Sequence, residues 1–168
     1  MIAGASRADP IIRPTARVLL LDASGRVLLF TVREPDQETG LPFWFPPGGG
    51  LEKSETFEQA AARELWEETG LTVPIGTCLW TREWLGEMAG RWYQVEERYY
   101  LARCESDPEL ITDRWTELEL QELAGHRWWS HAEITVSIDL FVPRELARLL
   151  PAVLAGDLPA APFAVDVQ

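Results

Sequence analysis

The stretch from Trp44 to Leu71 constrains this chain most. Pro46-Pro47-Gly48-Gly49-Gly50 is read as forbidding regular helix or strand and as an irregular glycine loop that lets backbone approach a ligand closely. A helix follows, opening at Ser54 or Glu55 and running to about Thr69, with Gly70 as its C-terminal stop. At about 100° per residue, placing Glu64 at zero puts Glu67 near 300° and Glu68 near 40°, so three carboxylates share one stripe. Leu65, Ala62, Thr69 and Trp66 fall on the other side, where they are expected to pack on a sheet. Like charges three and four residues apart repel, and anions near a helix C-terminus oppose its dipole. Such a stripe is either a plain solvated face or the seat of a cation. Carboxylates favour hard divalent ions such as Mg²⁺ or Mn²⁺, which share substrate phosphate oxygens and acidify water. Arg63 is suited to bracing a carboxylate through its two-pronged guanidinium.

Around this segment the chain reads as a single α/β domain of 168 residues. Residues 1–14 look like a loose arm, 15–155 like the domain, and 156–168 like a surface tail. Ala16–Leu21 and Val27–Val32 are apolar strands joined by Asp22-Ala23-Ser24-Gly25, so a hairpin is expected, covered on both faces. Residues 34–43 form a polar loop, and 73–86 and 91–105 read as strands. Residues 106–125 read as acidic loop, with 117–123 a candidate short helix. Arg127-Trp128-Trp129 is a brief strand under the site, Ser130 caps a following turn, and Pro143 opens a helix to Leu154. Strand–strand–loop–helix–strand–strand–strand–helix predicts an α/β/α sandwich with a mixed sheet.

Net charge is −12, which repels polyphosphate backbones; no nucleic-acid polymer is expected as partner, while a small phosphorylated ligand remains compatible through metal ions. Cys78 and Cys104 lack zinc or disulfide spacing. The N-terminus has no continuous apolar core and no apolar run approaches about 18 residues, so a cytoplasmic protein without membrane attachment is expected.

From Gly49 to Leu71 the sequence, GGLEKSETFEQAAARELWEETGL, resembles the Nudix box, G-x5-E-x7-R-E-U-x-E-E-x-G-U with U aliphatic. Gly49, Glu55, Arg63, Glu64, Leu65, Glu67, Glu68, Gly70 and Leu71 fill every specified place. The resemblance implies a Nudix-type α/β/α sandwich that hydrolyses a diphosphate linkage in a nucleoside diphosphate derivative or (d)NTP, through water activated by Mg²⁺ or Mn²⁺. It implies Glu64, Glu67 and Glu68 as metal ligands, joined by the Gly48 carbonyl, with Arg63 and Glu55 bracing the helix. The general base stays open: Glu64 or Glu67 within the box, Glu122 (with Glu119 nearby) on a later loop, or Glu96 or Glu97 on a strand. The alternative reading is an inactive Nudix domain that senses a nucleotide or binds a protein. Family members often pair, so a homodimer is a further implication.

The substrate's second group is not legible. Gly86 stands where some ADP-ribose pyrophosphatases carry proline, and Glu87-Met88-Ala89 lacks the tyrosine typical of diadenosine polyphosphate hydrolases. Trp44, Trp84, Trp92 and Tyr93 are candidates to stack on a base, against packing as the simpler role. Arg17, Arg33, Arg82 and Arg98 are candidates for phosphate contact, against surface ion pairs. His126 and His131 read as structural.

Overall fold

The structure is a computed structural model describing residues 3–105, 108–117, 120 and 123–167. In chain order the elements are β1 (Ile11–Leu21), β2 (Val27–Val32), β3 (Phe43–Phe45), β4 (Gly48–Gly50), α1 (Phe57–Thr69), β5 (Cys78–Met88) and β6 (Arg91–Arg103). They continue with β7 (Leu123–Trp129), α2 (His131–Val136), β8 (Leu140–Phe141), α3 (Leu146–Leu154) and β9 (Phe163–Ala164).

β1 organises the sheet. It runs parallel to β6 from Ile11↔Tyr93 to Leu21↔Arg103 and pairs with the glycines of β4 on its other edge. The path is β8-β3-β2-β1-β6-β5-β9, with β7 on β2. This is a mixed sheet between helices, an α/β fold as the sequence predicts.

Side chains alternate across a strand, and that period explains why β1 and β2 are continuously apolar. Ala16, Val18, Leu20, Leu28 and Phe30 meet Ala60, Ala61 and Leu65 of α1. Leu19, Leu21, Val27 and Leu29 face the other way, toward Ile134 of α2 and Leu146, Leu149, Leu150 and Val153 of α3. Burying one such side chain is worth about 1.5–3 kcal/mol.

Several expectations are corrected. β1 begins at Ile11, so residues 11–14 of the supposed arm are sheet. The β1–β2 hairpin closes only at Leu21↔Val27, because β2 pairs mainly with β7. Its turn forms as read, with Asp22 Oδ1 accepting from Ser24 N and Arg26 N. The glycine run forms strand β4, since the Ala16–Arg17 edge supplies its partners. The strand expected from residue 73 starts at Cys78. α1 starts at Phe57 behind Thr56, whose side chain and Gln59 form a capping box, while Gly70 ends it in the left-handed conformation. α3 starts at Leu146, leaving Pro143 in the preceding turn. The tail is not wholly surface: β9 pairs with β5 in parallel and Val165 is buried. No helix among the described residues is long and apolar enough to cross a membrane.

Candidate active site

A cleft of about 590 Å³ opens where β1, β4, β5 and β6 meet the inner side of α1. Its walls follow from strand alternation. Arg13, Thr15 and Arg17 share one face of β1; Arg82 and Trp84 share one face of β5; Val95 and Glu97 do so on β6; all line the cleft. The face that is apolar at Leu19 and Leu21 is thus polar at Arg13, Thr15 and Arg17, where it lines the cleft.

The inner side of α1 is not the side expected. Glu64 and Glu68 are buried beside Leu65 and Ala61, whereas Ala62 and Trp66 are exposed. The carboxylates therefore face a cleft rather than bulk water, and Glu64, Glu68 and Gly48–Gly50 line it together. Glu67 is half-buried outside that lining. Glycine is required at position 48, and at 49 a side chain would displace the Glu64 carboxylate. A Cβ on Gly49 would stand 2.4 Å from Glu64 Oε1, and one on Gly48 would stand 2.0 Å from the Ala16 carbonyl, at a φ of 146°.

Arg63 binds much of the acidic cluster. Its Nε and Nη2 donate to the two oxygens of Glu55 at 2.8 and 2.9 Å, and Nη2 also reaches the Gly50 carbonyl. Nη1 bridges Glu64 Oε1 at 2.7 Å and Glu67 Oε2 at 3.2 Å. This fork, with the Glu52 N–H, holds the Glu55 carboxyl down at about 2 against the effect of burial. Glu68 Oε2 accepts from Gly48 N at 2.8 Å, and the Gly48 carbonyl accepts from Arg17 Nη1 at 3.3 Å.

Three acidic side chains do not converge on one point among the described residues. Glu64 and Glu67 instead share a guanidinium, a cation already set between them. The donor set is nonetheless suited to a hard divalent ion: carboxylate and carbonyl oxygens, with no thiol or imidazole. Gly48 keeps a second lone pair on its carbonyl.

Arginines line the same cleft, with Arg17 directly beside the Gly48 carbonyl. Arg17 Nε and Arg82 Nη1 each donate at 3.0 Å to the buried Glu97, which also accepts from the Tyr99 hydroxyl at 2.8 Å. Burial would push the Glu97 carboxyl up, but Arg17 and Arg82 more than offset it and hold the group ionised, a poor proton acceptor. Arg13 stacks on Tyr93, and Arg144 completes this set.

Of the residues read as substrate contacts, Arg17, Arg82 and Trp84 line the cleft; Trp44 and Arg33 do not. In the Phe43-Trp44-Phe45 strand, alternation turns Phe43 and Phe45 to the cleft and Trp44 away, onto Trp129, with its Nε1 bonded to Asp139. Arg33 is spent on the Leu120 carbonyl, and Arg98 stacks on Phe57. Trp92 and Tyr93 stay off the lining. Glu119 and Glu122 lie outside the described residues. The sequence reading missed Arg13, Thr15, Phe43, Phe45 and Arg144. The alternation Arg13-x-Thr15-x-Arg17 was the available signal for the first two. It also missed Trp115, whose Nε1 donates to the Glu68 carbonyl and ties down the end of α1.

A sandwich of this topology, with a glycine strand set against a glutamate helix, defines the class: the chain belongs to the NUDIX family, whose domain model matches residues 11–152. It is a Nudix hydrolase, an enzyme acting on phosphorus-containing anhydrides. The RNA pyrophosphohydrolase of Roseobacter denitrificans is 29% identical to it over 140 residues, spanning 75% of this chain and 81% of that protein. A C. elegans Ap4A hydrolase binary complex superposes with a TM-score of 0.61 at 24% identity, covering 86% of this chain and 98% of that one. The MutT protein from Methanosarcina mazei Go1 gives a TM-score of 0.61 at 21% identity, covering 89% and 96%. At these identities the two structural likenesses bear on the fold alone.

Proposed function

We propose that the chain cleaves the diphosphate linkage of a nucleoside diphosphate derivative or a (d)NTP, with Mg²⁺ or Mn²⁺ held by Glu64, Glu67, Glu68 and the Gly48 carbonyl. One observation carries this reading: a single cleft is lined both by buried carboxylates set against glycine backbone and by Arg13, Arg17, Arg82 and Arg144. Divalent ions, when bound, neutralise phosphate charge and acidify water. The chain's own part is to grip and orient. Arg63 keeps Glu64 and Glu67 side by side, Gly48 N–H fixes Glu68, and the cleft-lining arginines take the phosphate oxygens. Phe43 and Phe45 flank the cleft and offer a flat group a stacking surface.

For the general base, Glu64 or Glu67 is preferred to Glu97, which two arginines hold ionised; Glu122 is tested alongside. The net charge of −12 favours small substrates. The names of the relatives nevertheless place RNA 5′ ends and dinucleoside polyphosphates in the panel.

The test is a screen of ADP-ribose, nucleotide sugars, dinucleoside polyphosphates, (d)NTPs and a 5′-triphosphorylated RNA with Mg²⁺ or Mn²⁺, identifying products by mass. At least one substrate is expected to turn over, and chelator is expected to abolish it. Glu64→Gln, Glu67→Gln and Glu68→Gln are each expected to lower kcat by about a hundredfold or more. Folded protein inert toward the whole panel would overturn the proposal, and tight nucleotide binding without turnover would favour the sensor reading.

A further inference from the structure

The C-terminal tail reaches the cleft. β9 lies along β5, Val165 N donates to the Thr81 carbonyl, and the next residue, Asp166, follows one position past the point where this register would set the chain beside Arg82. Asp166 adopts a φ of 52°, a left-handed conformation that aspartate tolerates better than most residues. That turn brings its carboxylate inward. Oδ2 accepts from Arg82 Nε at 2.8 Å and from the backbone N–H of Arg144 at 3.0 Å. The Asp166 N–H donates to Glu145 Oε2 at 2.9 Å. Oδ1 is buried with no hydrogen-bond partner among the described residues.

One carboxylate oxygen therefore ties together two cleft-lining residues from distant elements, Arg82 of β5 and Arg144 of the turn before α3. Arg82 is held at both ends, by Asp166 at Nε and by Glu97 at Nη1, which fixes the plane of its guanidinium. Glu97 alone, already shared with Arg17, leaves that plane free to swing about the bond to Nη1. A tail that served only to cover the edge of β5 would need Phe163 and Val165, but no buried carboxylate. A half-satisfied buried carboxylate is costly, and its retention marks a positional demand.

We infer that Asp166 is a positioning residue: the tail docks its carboxylate, anchored on the Arg144 backbone N–H, against Arg82 Nε so that the Arg82 guanidinium presents a fixed plane to the anionic part of the ligand. The inference deepens the hydrolase reading and rests on it for the ligand's chemistry, a diphosphate.

The experiment measures calorimetric binding of methylenediphosphonate, a non-hydrolysable diphosphate, with Mg²⁺ present. It compares the full-length wild type with Asp166→Ala, Asp166→Asn, Arg82→Ala and the Arg82→Ala/Asp166→Ala double variant, with thermal midpoints in parallel. Asp166→Ala is expected to weaken binding about tenfold, because the Arg82 guanidinium loses the contact that fixes its plane. Asp166→Asn, which keeps an acceptor for Nε, is expected to stay within about threefold of wild type. In the Arg82→Ala background, removing Asp166 is expected to change affinity by less than about twofold, because the two act through one contact. A purely structural tail would lower the midpoint in both backgrounds and leave affinity alone. Unchanged affinity in Asp166→Ala, additive losses in the double variant, or a wild type that does not bind the probe would each overturn the inference. Binding requires no turnover, so a chain that binds with this pattern yet hydrolyses nothing sinks only the hydrolase reading.

Discussion

Arg63 shows how much can rest on one side chain. Its fork takes both oxygens of Glu55, while its third nitrogen bridges Glu64 and Glu67, so bracing and neutralisation are done by one planar group. Lysine keeps the charge but not the fork. Arg63→Lys is therefore expected to lower kcat about tenfold or more, with the protein still folded by circular dichroism; wild-type turnover would refute the bracing role. The same fork predicts a pH dependence. The Glu55 carboxyl lies at about 2 in the folded chain against an ordinary 4.5. A depressed carboxyl stabilises the fold above its unfolded value and loses that contribution as pH falls toward its folded value. Urea midpoints should accordingly drop between pH about 4.5 and about 2, and Glu55→Gln should flatten that limb while lowering stability at neutral pH. An acid limb unchanged in Glu55→Gln would show that other carboxylates control it.

At the scale of elements, α3 contains a proline that ought to weaken it. Pro151 has no N–H for the carbonyl of Ala147, one turn back. His131, the first residue of α2, fills the gap with Nε2 at 2.8 Å from that oxygen, which fixes the proton on Nε2. His131→Ala is expected to destabilise the chain by about 1–2 kcal/mol, and Pro151→Ala to recover most of that loss by restoring the helical bond. If the second change adds to the first in urea unfolding, the pairing is wrong. Of the elements, the long periodic ones were legible in the sequence: β1, β2, β6 and α1 each bury enough residues to impress a period. β3, β4, β8 and β9 are only two or three residues long and exist because a neighbouring edge offers hydrogen bonds, which no local pattern records. The lining of the candidate site is legible where chemistry and spacing coincide, in Gly48–Gly50, Glu64 and Glu68. Orientation is not legible there: Ala62 and Trp66 read as packing on the sheet but are exposed, while Glu64 and Glu68 are buried toward the cleft. Phe43 and Phe45 were passed over for Trp44, although strand parity separates them.

For the molecule as a whole, charge links the site to stability. A chain carrying −12 gathers several carboxylates around one guanidinium, and in the absence of metal their mutual repulsion is balanced chiefly by Arg63. A divalent ion that binds only the folded cluster stabilises the entire chain by mass action, about 2.7 kcal/mol at a hundred times its dissociation constant. For a domain of this size that corresponds to a rise of roughly 5–10 °C in the thermal midpoint. Sodium chloride at matched ionic strength screens the surface without occupying the cluster, so its effect should be distinctly smaller. Glu64→Gln/Glu68→Gln keeps acceptors for Arg63 and for the Gly48 N–H while removing two of the negative charges that would hold the ion. Its midpoint is expected to respond to magnesium chloride and sodium chloride alike. An equal magnesium response in wild type and double variant would place the ion elsewhere on the acidic surface, and the buried end of α1 would lose its assigned chemistry.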